Sequence, residues 1–454
     1  MTQARTLKDA YNNADPVQPL PAGDPRYVDC TPVRGNEDVV SQMLKKILWA
    51  ERRFTAQLFT GHRGCGKSTE LLRLQARLEE AGYVVLYFES DDDLDLNDIE
   101  YTDLLLTIAR RVISDLHNKG IRLPDSLLQE IEAWYNEVLY AEDKLRETGR
   151  ELAAEAELGI GLPKELPLVA RLLARTTAQI KTGRAVKTEI RRKLDPQISQ
   201  LIANVNLLLQ AAHAQIRKKG QQGLVLIVDN LDRIVFRDLD NGRTSHSAFY
   251  VEHGEQLRDL DCHLIYTVPI SLMYSDRATV VQSIFPDCHV LPMIKVRDRE
   301  NRLYQPGLDH LRDMLAARID LDTLCTPDAI TYLCEASGGH PRDLMFMVRQ
   351  ACVYAPGNVW PRPITLEVIK RAEAQLVATY SRMIPETHYS LLARVHLTKQ
   401  VQADEAHELM LYNLSVLEYI NGMPPWHDVH PAVRKLPKFQ VALQQERTKT
   451  GLVV

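Results

Sequence analysis

The sequence lacks the long apolar run that a membrane-spanning helix requires. No stretch approaches about 18 consecutive apolar residues, and the first ten residues contain no apolar signal core. A large excess of charge is also absent, because the formal net charge is only −5 over 454 residues. We therefore expect a cytoplasmic protein without a membrane span, in which any contact with nucleic acid depends on a local basic surface.

Paired cysteines are absent as well. The seven cysteines are scattered along the chain, and none belongs to a C-x-x-C pair. This spacing argues against a structural zinc site and for reduced thiols. The content of 45% hydrophobic and 25% charged residues is ordinary for a globular protein, and the length predicts two or three domains.

What the sequence does contain is a complete phosphate-binding loop pattern, G-x-x-x-x-G-K-[ST], at residues 61–68. Gly61, Gly64 and Gly66 permit a tight turn that aims backbone N–H groups at phosphate oxygens. Lys67 is placed to reach the β- and γ-phosphates of a nucleoside triphosphate, and the Ser68 hydroxyl is placed to ligate Mg²⁺. The predicted nucleotide site also includes the neighbouring loop residues Arg63, Cys65 and Thr69.

Cys65 allows two interpretations. The positive field of the loop would lower its pKa and make it an oxidation-sensitive thiol. Alternatively, it is a small residue that the tight turn tolerates.

The surroundings of the loop predict an α/β fold. Residues 54–60 form a predicted β-strand that enters the loop, and a helical pattern follows it, which is the context that the motif needs. Further apolar runs, which predict the other strands of a parallel sheet, occupy residues 83–88, 224–229, 263–268 and 290–294. Strands that alternate with helices predict a three-layer sandwich.

Changes of pattern along the chain predict four parts. The Pro- and Asn-rich residues 1–26 are expected to be an extended or poorly ordered N-terminal extension. Residues 27–300 form the predicted P-loop core, with a long helical insertion at about 104–220. An all-helical part follows at 301–360, and a small α-rich domain at 366–454.

Two charged segments interrupt this pattern. The acidic residues 89–103 are expected to form a solvated loop, although their place after a strand also permits a role near a nucleotide. Residues 171–193 carry many arginines and lysines against the single acid Glu189. This basic segment is either a solvated helix face or a surface for a partner or nucleic acid. Next to it, residues 151–182 suggest a hairpin or a projecting arm.

Acidic and polar residues follow the later strands. Asp229 ends its strand, where ligands collect in open α/β sheets, and would hold Mg²⁺ opposite Ser68. Asp232 is the candidate that polarises the attacking water. Thr267 ends the next strand and is placed to hydrogen-bond the γ-phosphate or that water. Arg277 is either an arginine that reaches a neighbouring subunit's nucleotide, which requires oligomers, or a surface ion-pair residue.

A further arginine follows a glycine-rich turn in the helical part. The turn at residues 338–341 is a helix stop and restart that sets the direction of Arg342. Arg342 is therefore either a lid residue that reaches the γ-phosphate or an exposed arginine in an ordinary connecting turn.

These motifs together resemble the AAA+ and STAND-type P-loop ATPases, especially the branch of replication initiators, KAP ATPases and bacterial NTPase switch proteins. Residues 61–68 are similar to the Walker A motif of that branch, and Asp229 with Asp232 to its Walker B motif. Asn230 stands where many relatives carry the catalytic glutamate, which implies slow hydrolysis.

The resemblance extends to the remaining elements of the site. Arg34 lies in a segment similar to the upstream box that contacts the nucleotide base. Thr267 occupies the sensor 1 position, and the turn that ends in Arg342 resembles the sensor 2 element of a helical lid.

Residues 390–435 are similar to the winged-helix module that often follows such lids. The turn at Asn421-Gly422 would begin the wing hairpin, and the recognition helix would lie near residues 403–414. That helix carries Asp404, Glu405 and Glu408 but no Lys or Arg, a poor match to phosphates. The implied fold class is therefore α/β, a three-layer P-loop NTPase with a parallel sheet, followed by an all-helical lid and a winged-helix-like domain for protein interaction or autoinhibition.

Motifs and resemblance together predict an ATP-operated switch with ATP and Mg²⁺ as cofactors. ATP binding would favour a homo-oligomer and engage a separate protein effector, in bacterial signalling or antiphage defence. A DNA-binding initiator- or transposition-type ATPase is the alternative, with DNA bound by residues 171–193 or by the C-terminal domain. A scaffold that binds ATP without turnover is the third possibility.

Overall fold

The computed structural model describes residues 3–51, 53–140, 166–239, 243–357, 361–420 and 424–450. The strands are β1 (Ala56–Thr60), β2 (Val84–Glu89), β3 (Leu224–Asp229), β4 (Asp238–Leu239), β5 (Arg243–Thr244), β6 (His263–Val268), β7 (Asp287–Val290), β8 (Val416–Tyr419) and β9 (Trp426–Val429). The helices are α1 (Leu7–Asn13), α2 (Val39–Leu48), α3 (Lys67–Glu80), α4 (Ser90–Asp93), α5 (Tyr101–Asn118), α6 (Asp125–Tyr140), α7 (Leu168–Thr182), α8 (Arg184–Leu194), α9 (Ile198–Lys218), α10 (Ser245–Ser247), α11 (Gly254–Arg258), α12 (Ala278–Ile284), α13 (Gln305–Ala316), α14 (Leu321–Leu324), α15 (Pro327–Ala336), α16 (Pro341–Tyr354), α17 (Leu366–Ser381), α18 (Tyr389–Thr398), α19 (Glu405–Tyr412), α20 (Pro431–Arg434) and α21 (Pro437–Thr450).

A five-stranded sheet with the order β2-β3-β6-β1-β7 organises the first part of the chain. All four strand pairings in it are parallel. Strand β6 therefore separates β1, which enters the phosphate-binding loop, from β3, which ends in Asp229. Because the strands are parallel, their carboxyl ends share one edge of the sheet, where ligands bind in folds of this kind.

The sheet is covered on both faces. Alternate residues of β1 to β3 pack on one side against the inserted helices α5 to α9, with Leu86 and Leu226 among the buried contacts. The intervening residues pack on the other side against α2, α3 and the β8–β9 hairpin, with Val85 and Val225 among them. This burial on both faces explains the continuous apolar sequence of β3.

The last sheet strand differs from its predicted position. The apolar run at residues 290–294 predicted a strand there, but β7 covers Asp287–Val290. Pro292 has no N–H to donate to a ladder. Leu291 N still donates to Thr60 O of β1, but beyond it the backbone bonds to other parts of the chain, since Met293 N donates to Glu418 O and Lys295 N donates to Val33 O.

The acidic and basic segments pair with each other inside the inserted helical part. Lys187 Nζ lies 3.0 Å from an oxygen of Asp95 and 2.8 Å from one of Asp98. Arg191 Nη1 lies 2.9 Å from Glu100, and its Nη2 is also paired with Asp103. Lys187 and Arg191 are both buried. The expectation that the acidic segment is a solvated loop is therefore wrong, and the two cations are withdrawn from the predicted surface for a partner or nucleic acid.

Only part of the possible projecting arm, residues 151–182, lies among the described residues. Residues 151–165 lie outside the described residues. The rest of that segment forms α7, whose buried residues Val169, Leu173 and Ile180 belong to the same core as α5. Within the described part, the expected hairpin or arm is thus a packed helix.

The N-terminal segment is also more ordered than its composition predicts. The Thr6 side chain caps α1 by accepting a hydrogen bond from Asp9 N at 3.2 Å. Ala10 is completely buried, and the Arg349 guanidinium of α16 lies 4.2 Å from the centre of the Tyr11 ring. Residues 7–13 are therefore a helix packed on the helical part, because local capping and an apolar contact offset the effect of the flanking prolines.

Helices α13 to α16 form the lid, and α18 to α21 with β8 and β9 form the C-terminal module. Strands β8 and β9 pair antiparallel, with Val416 opposite Val429 and Tyr419 opposite Trp426. The predicted turn at Asn421-Gly422 lies outside the described residues. Two helices followed by a hairpin give the winged-helix-like arrangement, so the predicted fold class is confirmed. No helix among the described residues is both long and apolar enough to cross a membrane.

Candidate nucleotide-binding site

The phosphate-binding loop joins β1 to α3, whose first residue is Lys67. Gly64 has φ of +83°, and a Cβ on it would lie 2.7 Å from Arg342 Cβ in the lid. Gly61 has φ of +147°, and a Cβ on it would lie 2.6 Å from Leu291 O. Both positions therefore require glycine, for backbone conformation and for close approach of neighbouring chain.

The Lys67 ammonium lies buried inside the loop. It donates to Gly61 O at 2.8 Å and to His62 O at 3.0 Å, and it pairs with Asp232 Oδ2 at 2.9 Å. Burial lowers the pKa of Lys67, but the Asp232 carboxylate outweighs this effect and raises the pKa above its ordinary value. Lys67 is thus held as a cation at the place where phosphates would bind.

Ser68 and Asp229 lie together at the carboxyl edge of the sheet. Asp229 is almost fully buried and accepts hydrogen bonds from Tyr87 Oη at 2.8 Å and Asn230 N at 2.7 Å. Burial and the charge of Asp232 raise the pKa of Asp229, although its hydrogen bond with Ser68 acts in the opposite direction. A hydroxyl beside a carboxylate is the oxygen donor set that Mg²⁺ prefers, so these two residues fit the ion, which would neutralise phosphate charge.

Thr267 lies beneath the turn that carries Asp232. Its side chain is completely buried, and its hydroxyl accepts a hydrogen bond from Leu231 N at 3.0 Å. The structure thus places Thr267 where it supports the residues after β3. Contact with a γ-phosphate or a water molecule stays a prediction.

An open cleft lies between the loop, the lid and the N-terminal segment. Its wall includes Arg34, Arg63 and Arg342, and each of these has at least one buried guanidinium nitrogen without a hydrogen-bond partner in the described chain. Burial, and then the nearby Arg233 cation, lower the pKa of Arg342. Buried cationic donors that lack acceptors are costly, so this cleft is suited to a polyanion.

Two of the predicted site residues, Arg34 and Thr69, make hydrogen bonds that hold the loop region. Arg34 Nη2 donates to Cys65 O at 2.7 Å and so fixes the loop backbone. The Thr69 hydroxyl accepts a hydrogen bond from Leu20 N at 3.1 Å, which holds the N-terminal segment against α3. Cys65 itself is completely buried, which favours its interpretation as a packing residue over that of an exposed, oxidation-sensitive thiol.

Part of the cleft lining is apolar, and sequence patterns did not point to it. It includes Leu20 and Val28 from the N-terminal segment, and Met314 and Met345 from the lid. Apolar walls opposite a few polar groups are typical of small-molecule sites and would suit a nucleobase. No motif marks these residues, because they come together only through packing of distant segments.

Two hydrogen bonds from the lid hold carbonyl groups of the phosphate-binding loop. His340 Nε2 hydrogen-bonds to Arg63 O at 2.7 Å, and Arg342 N donates to Gly64 O at 3.3 Å. Carbonyl and N–H groups of a trans peptide point in opposite directions. Fixing the Arg63 carbonyl toward the lid therefore turns the N–H of Gly64 away from the lid.

The C-terminal module also contacts the loop directly. Glu418 N donates to His62 Nε2 at 2.8 Å, and the Arg63 guanidinium lies 4.0 Å from the centre of the Tyr412 ring. Burial, followed by the nearby charges of His340 and Lys67, holds the pKa of His62 well below its usual value, so the ring is neutral and can accept this bond. These contacts were missed at the level of sequence because they join residues more than 300 positions apart.

A buried cluster links the lid to the module. His340 Nδ1 lies 3.1 Å from Asp343 Oδ1, and His430 Nε2 lies 3.1 Å from Asp343 Oδ2. These side chains are close enough together to hold a metal ion. However, His430 Nδ1 accepts a hydrogen bond from Ala432 N, so the neutral ring carries its proton on Nε2, facing Asp343. The cluster is therefore better described as a buried polar contact between the lid and the module.

Arg277 lies apart from this site. Its side chain is 56% exposed and stands 3.7 Å from Asp276, just before α12. It does not line the cleft of its own chain. Contact with the nucleotide of a neighbouring subunit stays a prediction.

Comparisons with known proteins find similarities of fold. No protein-family model and no curated protein matches the chain. The chain is similar to the Aeropyrum pernix Orc1 protein in complex with DNA, at 13% identity and a TM-score of 0.42, with 100% of both chains covered. It is also similar to a Walker-type ATPase of Pyrococcus abyssi, at 12% identity and a TM-score of 0.39, covering 95% of this chain and 99% of that one.

A third solved structure, Cdc6p from Pyrobaculum aerophilum, shares 11% identity with a TM-score of 0.36, covering 89% of this chain and 93% of that one. Similarities this distant establish neither an activity nor a partner for the chain. The fold itself rests on the parallel sheet and on the loop at residues 61–68. It is the fold of a P-loop ATPase with a helical lid and a winged-helix-like module, as the AAA+ resemblance implied.

Proposed function

We propose that the chain is a slow, Mg²⁺-dependent ATPase that acts as a molecular switch. One observation carries the proposal: Lys67 and the partnerless guanidinium nitrogens of Arg34, Arg63 and Arg342 surround a single cleft. A triphosphate supplies the anionic oxygens that these donors lack. The adjacent Ser68 hydroxyl and Asp229 carboxylate would hold Mg²⁺, which supplies charge neutralisation during phosphoryl transfer.

The switch follows from shared residues. Arg63 lines the cleft and at the same time stacks on Tyr412 of the C-terminal module. A phosphate bound by Arg63 therefore changes the electrostatic environment of that contact. If the protein binds ATP with different affinity when the module is docked and when it is released, ATP shifts the equilibrium between these two states by the same difference in free energy. Release would uncover α19 and the 270–274 segment of the core, as a surface for an effector or for assembly of subunits.

Turnover is expected to be slow because Asn230, not an acid, follows Asp229. Cellular roles in signalling or antiphage defence fit such a switch, in which nucleotide state rather than rapid hydrolysis carries information. Self-association on ATP binding is part of the proposal, and the exposed Arg277 is its candidate contact residue.

Titration calorimetry with ATP and Mg²⁺ tests the first step. The unmodified chain is expected to bind ATP, and Lys67→Ala to weaken binding at least about tenfold, because a buried charge-assisted contact contributes about 1.5–3 kcal/mol. Lys370→Ala is the control, because Lys370 lies on an exposed helix face and pairs with Glu367. Equal ATP affinity in the chain and in Lys67→Ala would contradict the proposal.

Phosphate release and light scattering test the remaining steps. Turnover that Lys67→Ala abolishes, with a larger particle in the presence of ATP, supports the switch. ATP binding without any phosphate release would instead support the nucleotide-dependent scaffold.

A DNA-binding initiator-type ATPase is the second candidate. The order of ATPase core, lid and winged-helix-like module favours it, and one structure similar in fold was solved in complex with DNA. Its difficulty is α19, which carries acids and whose Tyr412 is bonded to the core at Ile234 O. DNA contact by that helix would therefore require release of the module.

Fluorescence anisotropy with duplex DNA at low salt distinguishes the two candidates. Binding that needs ATP, weakens with salt and increases in Tyr412→Ala supports the initiator. Replacing the exposed Arg192 with a neutral residue should lower the DNA affinity. Replacing the buried Arg191 is expected to lower the stability of the fold instead. No binding with or without ATP would leave the switch as the function.

A further inference from the structure

One carboxylate near the site has no part in the functions above. Glu89 is the last residue of β2 and pairs in register with Asp229, the last residue of β3. Both therefore lie at the sheet edge where the phosphate-binding loop begins. The Glu89 side chain is only partly exposed.

Asn230 connects Glu89 to the cleft. Asn230 lines the cleft and has φ of +65°, a conformation that asparagine tolerates better than most residues. Its amide nitrogen donates to Glu89 Oε2 at 2.8 Å and to Asp91 Oδ1 at 2.7 Å. Within the described chain, no other hydrogen bond engages the Glu89 carboxylate. One of its oxygens is thus oriented by Asn230, and the other is available to a water molecule.

The alternative acid is less suited to accept a proton. Asp232 is paired with the Lys67 ammonium, 2.9 Å from its Oδ2, in a buried setting, so this carboxylate is already engaged by a cation of the loop. Glu89 has a different environment, because within the described residues no ion pair engages its carboxylate and Asn230 orients only one of its two oxygens. A carboxylate that is positioned but not paired with a cation can accept a proton from water.

We propose that Glu89 is the catalytic base of ATP hydrolysis and that Asn230 is its positioning residue. The acid that Asn230 replaces along β3 is supplied by the neighbouring strand β2. The water oxygen bonds to the γ-phosphorus while the bond from that phosphorus to the bridging oxygen of ADP breaks. The bonding electron pair leaves with ADP, the water proton passes to Glu89, and Glu89 then returns it to the released phosphate.

This inference rests on the proposed ATPase function, and the experiment separates the two. Turnover is measured as phosphate release at saturating ATP, and ATP affinity by calorimetry, in the full chain. Glu89→Gln keeps the size and the hydrogen bond from Asn230 but removes the base. It is expected to reduce kcat at least about 100-fold with ATP affinity unchanged within about threefold, which also shows that the variant is folded.

Asp92→Asn is the matched control, because it removes one charge from an exposed residue of the same segment. Its kcat should stay within about threefold of the unmodified chain. Asn230→Gly permits the positive φ but removes the amide. It should lower kcat about tenfold with little change in KM, and it should shift the acidic limb of the pH profile that Glu89→Gln eliminates.

The results of these measurements distinguish failure of the proposed ATPase function from failure of the Glu89 assignment. If the unmodified chain binds ATP but releases no phosphate, the hydrolysis step of the proposed function fails and this proposal fails with it. If the unmodified chain hydrolyses ATP and Glu89→Gln retains kcat within about threefold, the proposed function stands and this assignment is overturned. Loss of turnover in Asp232→Asn with unchanged ATP affinity would then favour Asp232 as the base, because disturbance of its partner Lys67 would weaken ATP binding as well.

Discussion

Replacing Tyr412 with alanine is expected to release the C-terminal module from the phosphate-binding loop. The Arg63 guanidinium lies 4.0 Å from the ring centre, a contact that contributes about 1 kcal/mol when partly buried. The Tyr412 hydroxyl donates to Ile234 O at 3.1 Å, which contributes about 1 kcal/mol more. Lost apolar contact of the ring adds about 1 kcal/mol. The total of about 3 kcal/mol corresponds to roughly a 100-fold change in the docking equilibrium.

Hydrogen exchange with mass spectrometry measures that change. The β8 backbone is suited as the reporter because Glu418 N donates to His62 in the loop. In Tyr412→Ala the exchange of β8 amides is expected to accelerate by one to two orders of magnitude, in keeping with the docking estimate. Tyr412→Phe keeps the ring over Arg63 and removes only the hydroxyl, so it should show about a third of the free-energy effect.

Nucleotide binding supplies the reciprocal measurement. If docking and ATP binding are coupled through Arg63, the ATP dissociation constants of the docked and released states differ by the factor by which ATP changes docking, so Tyr412→Ala should shift the measured constant toward that of the released state, by at most this factor. Faster exchange in β8 with an unchanged ATP dissociation constant would refute the coupling. Unchanged exchange in β8 would refute the estimate of the docking energy itself.

Two further predictions concern the lid and the module. Gly339→Ala should lower the free energy of unfolding by about 3 kcal/mol or more, because its φ is +78° and a Cβ would lie 1.7 Å from Ile294 O. Gly357→Ala meets no atom within 4 Å and is the control in the same chemical denaturation series; equal losses would contradict the steric argument. In α19, burial and the neighbouring acids, foremost Asp276, raise the pKa of Glu408 from 4.5 to about 7. Since the folded-state pKa is raised, the folded state holds this proton more tightly, and stability declines as pH increases from about 4.5 through about 7. Between pH 6 and pH 8 the loss attributable to Glu408 is about 1 kcal/mol, and it should disappear in Glu408→Gln; a variant with the same pH dependence as the unmodified chain would count against it.

Local patterns predicted the elements of the fold well. The glycines and Lys67 mark the loop, and the apolar run before Asp229 marks a strand buried on both faces. The strand at residues 290–294 was misplaced because apolar residues also occur where Pro292 ends the ladder and the backbone turns to other partners. The N-terminal helix was missed because the capping residue Thr6 outweighs the composition of the segment around it.

The charged segments show the limit of such patterns. Each segment by itself is typical of a solvated face, and the basic one also of a nucleic-acid surface. In the fold, Arg191 and Asp103 stand 88 positions apart in sequence and pair in the interior. Whether a charge faces water or another charge depends on which helices pack together, and spacing along one segment does not contain that information.

The chemistry of the loop can be predicted from the order of its residues, because tight turning and phosphate contact need particular residues at neighbouring positions. The alternation of strands and helices can be predicted as well, since burial imposes a local period. The hydrogen bonds from Asn230 to Glu89 and from Glu418 to His62 could be found only in the folded chain. Those contacts depend on strand order and on the docking of distant segments, whose free energies are sums over many long-range contacts with no local signature.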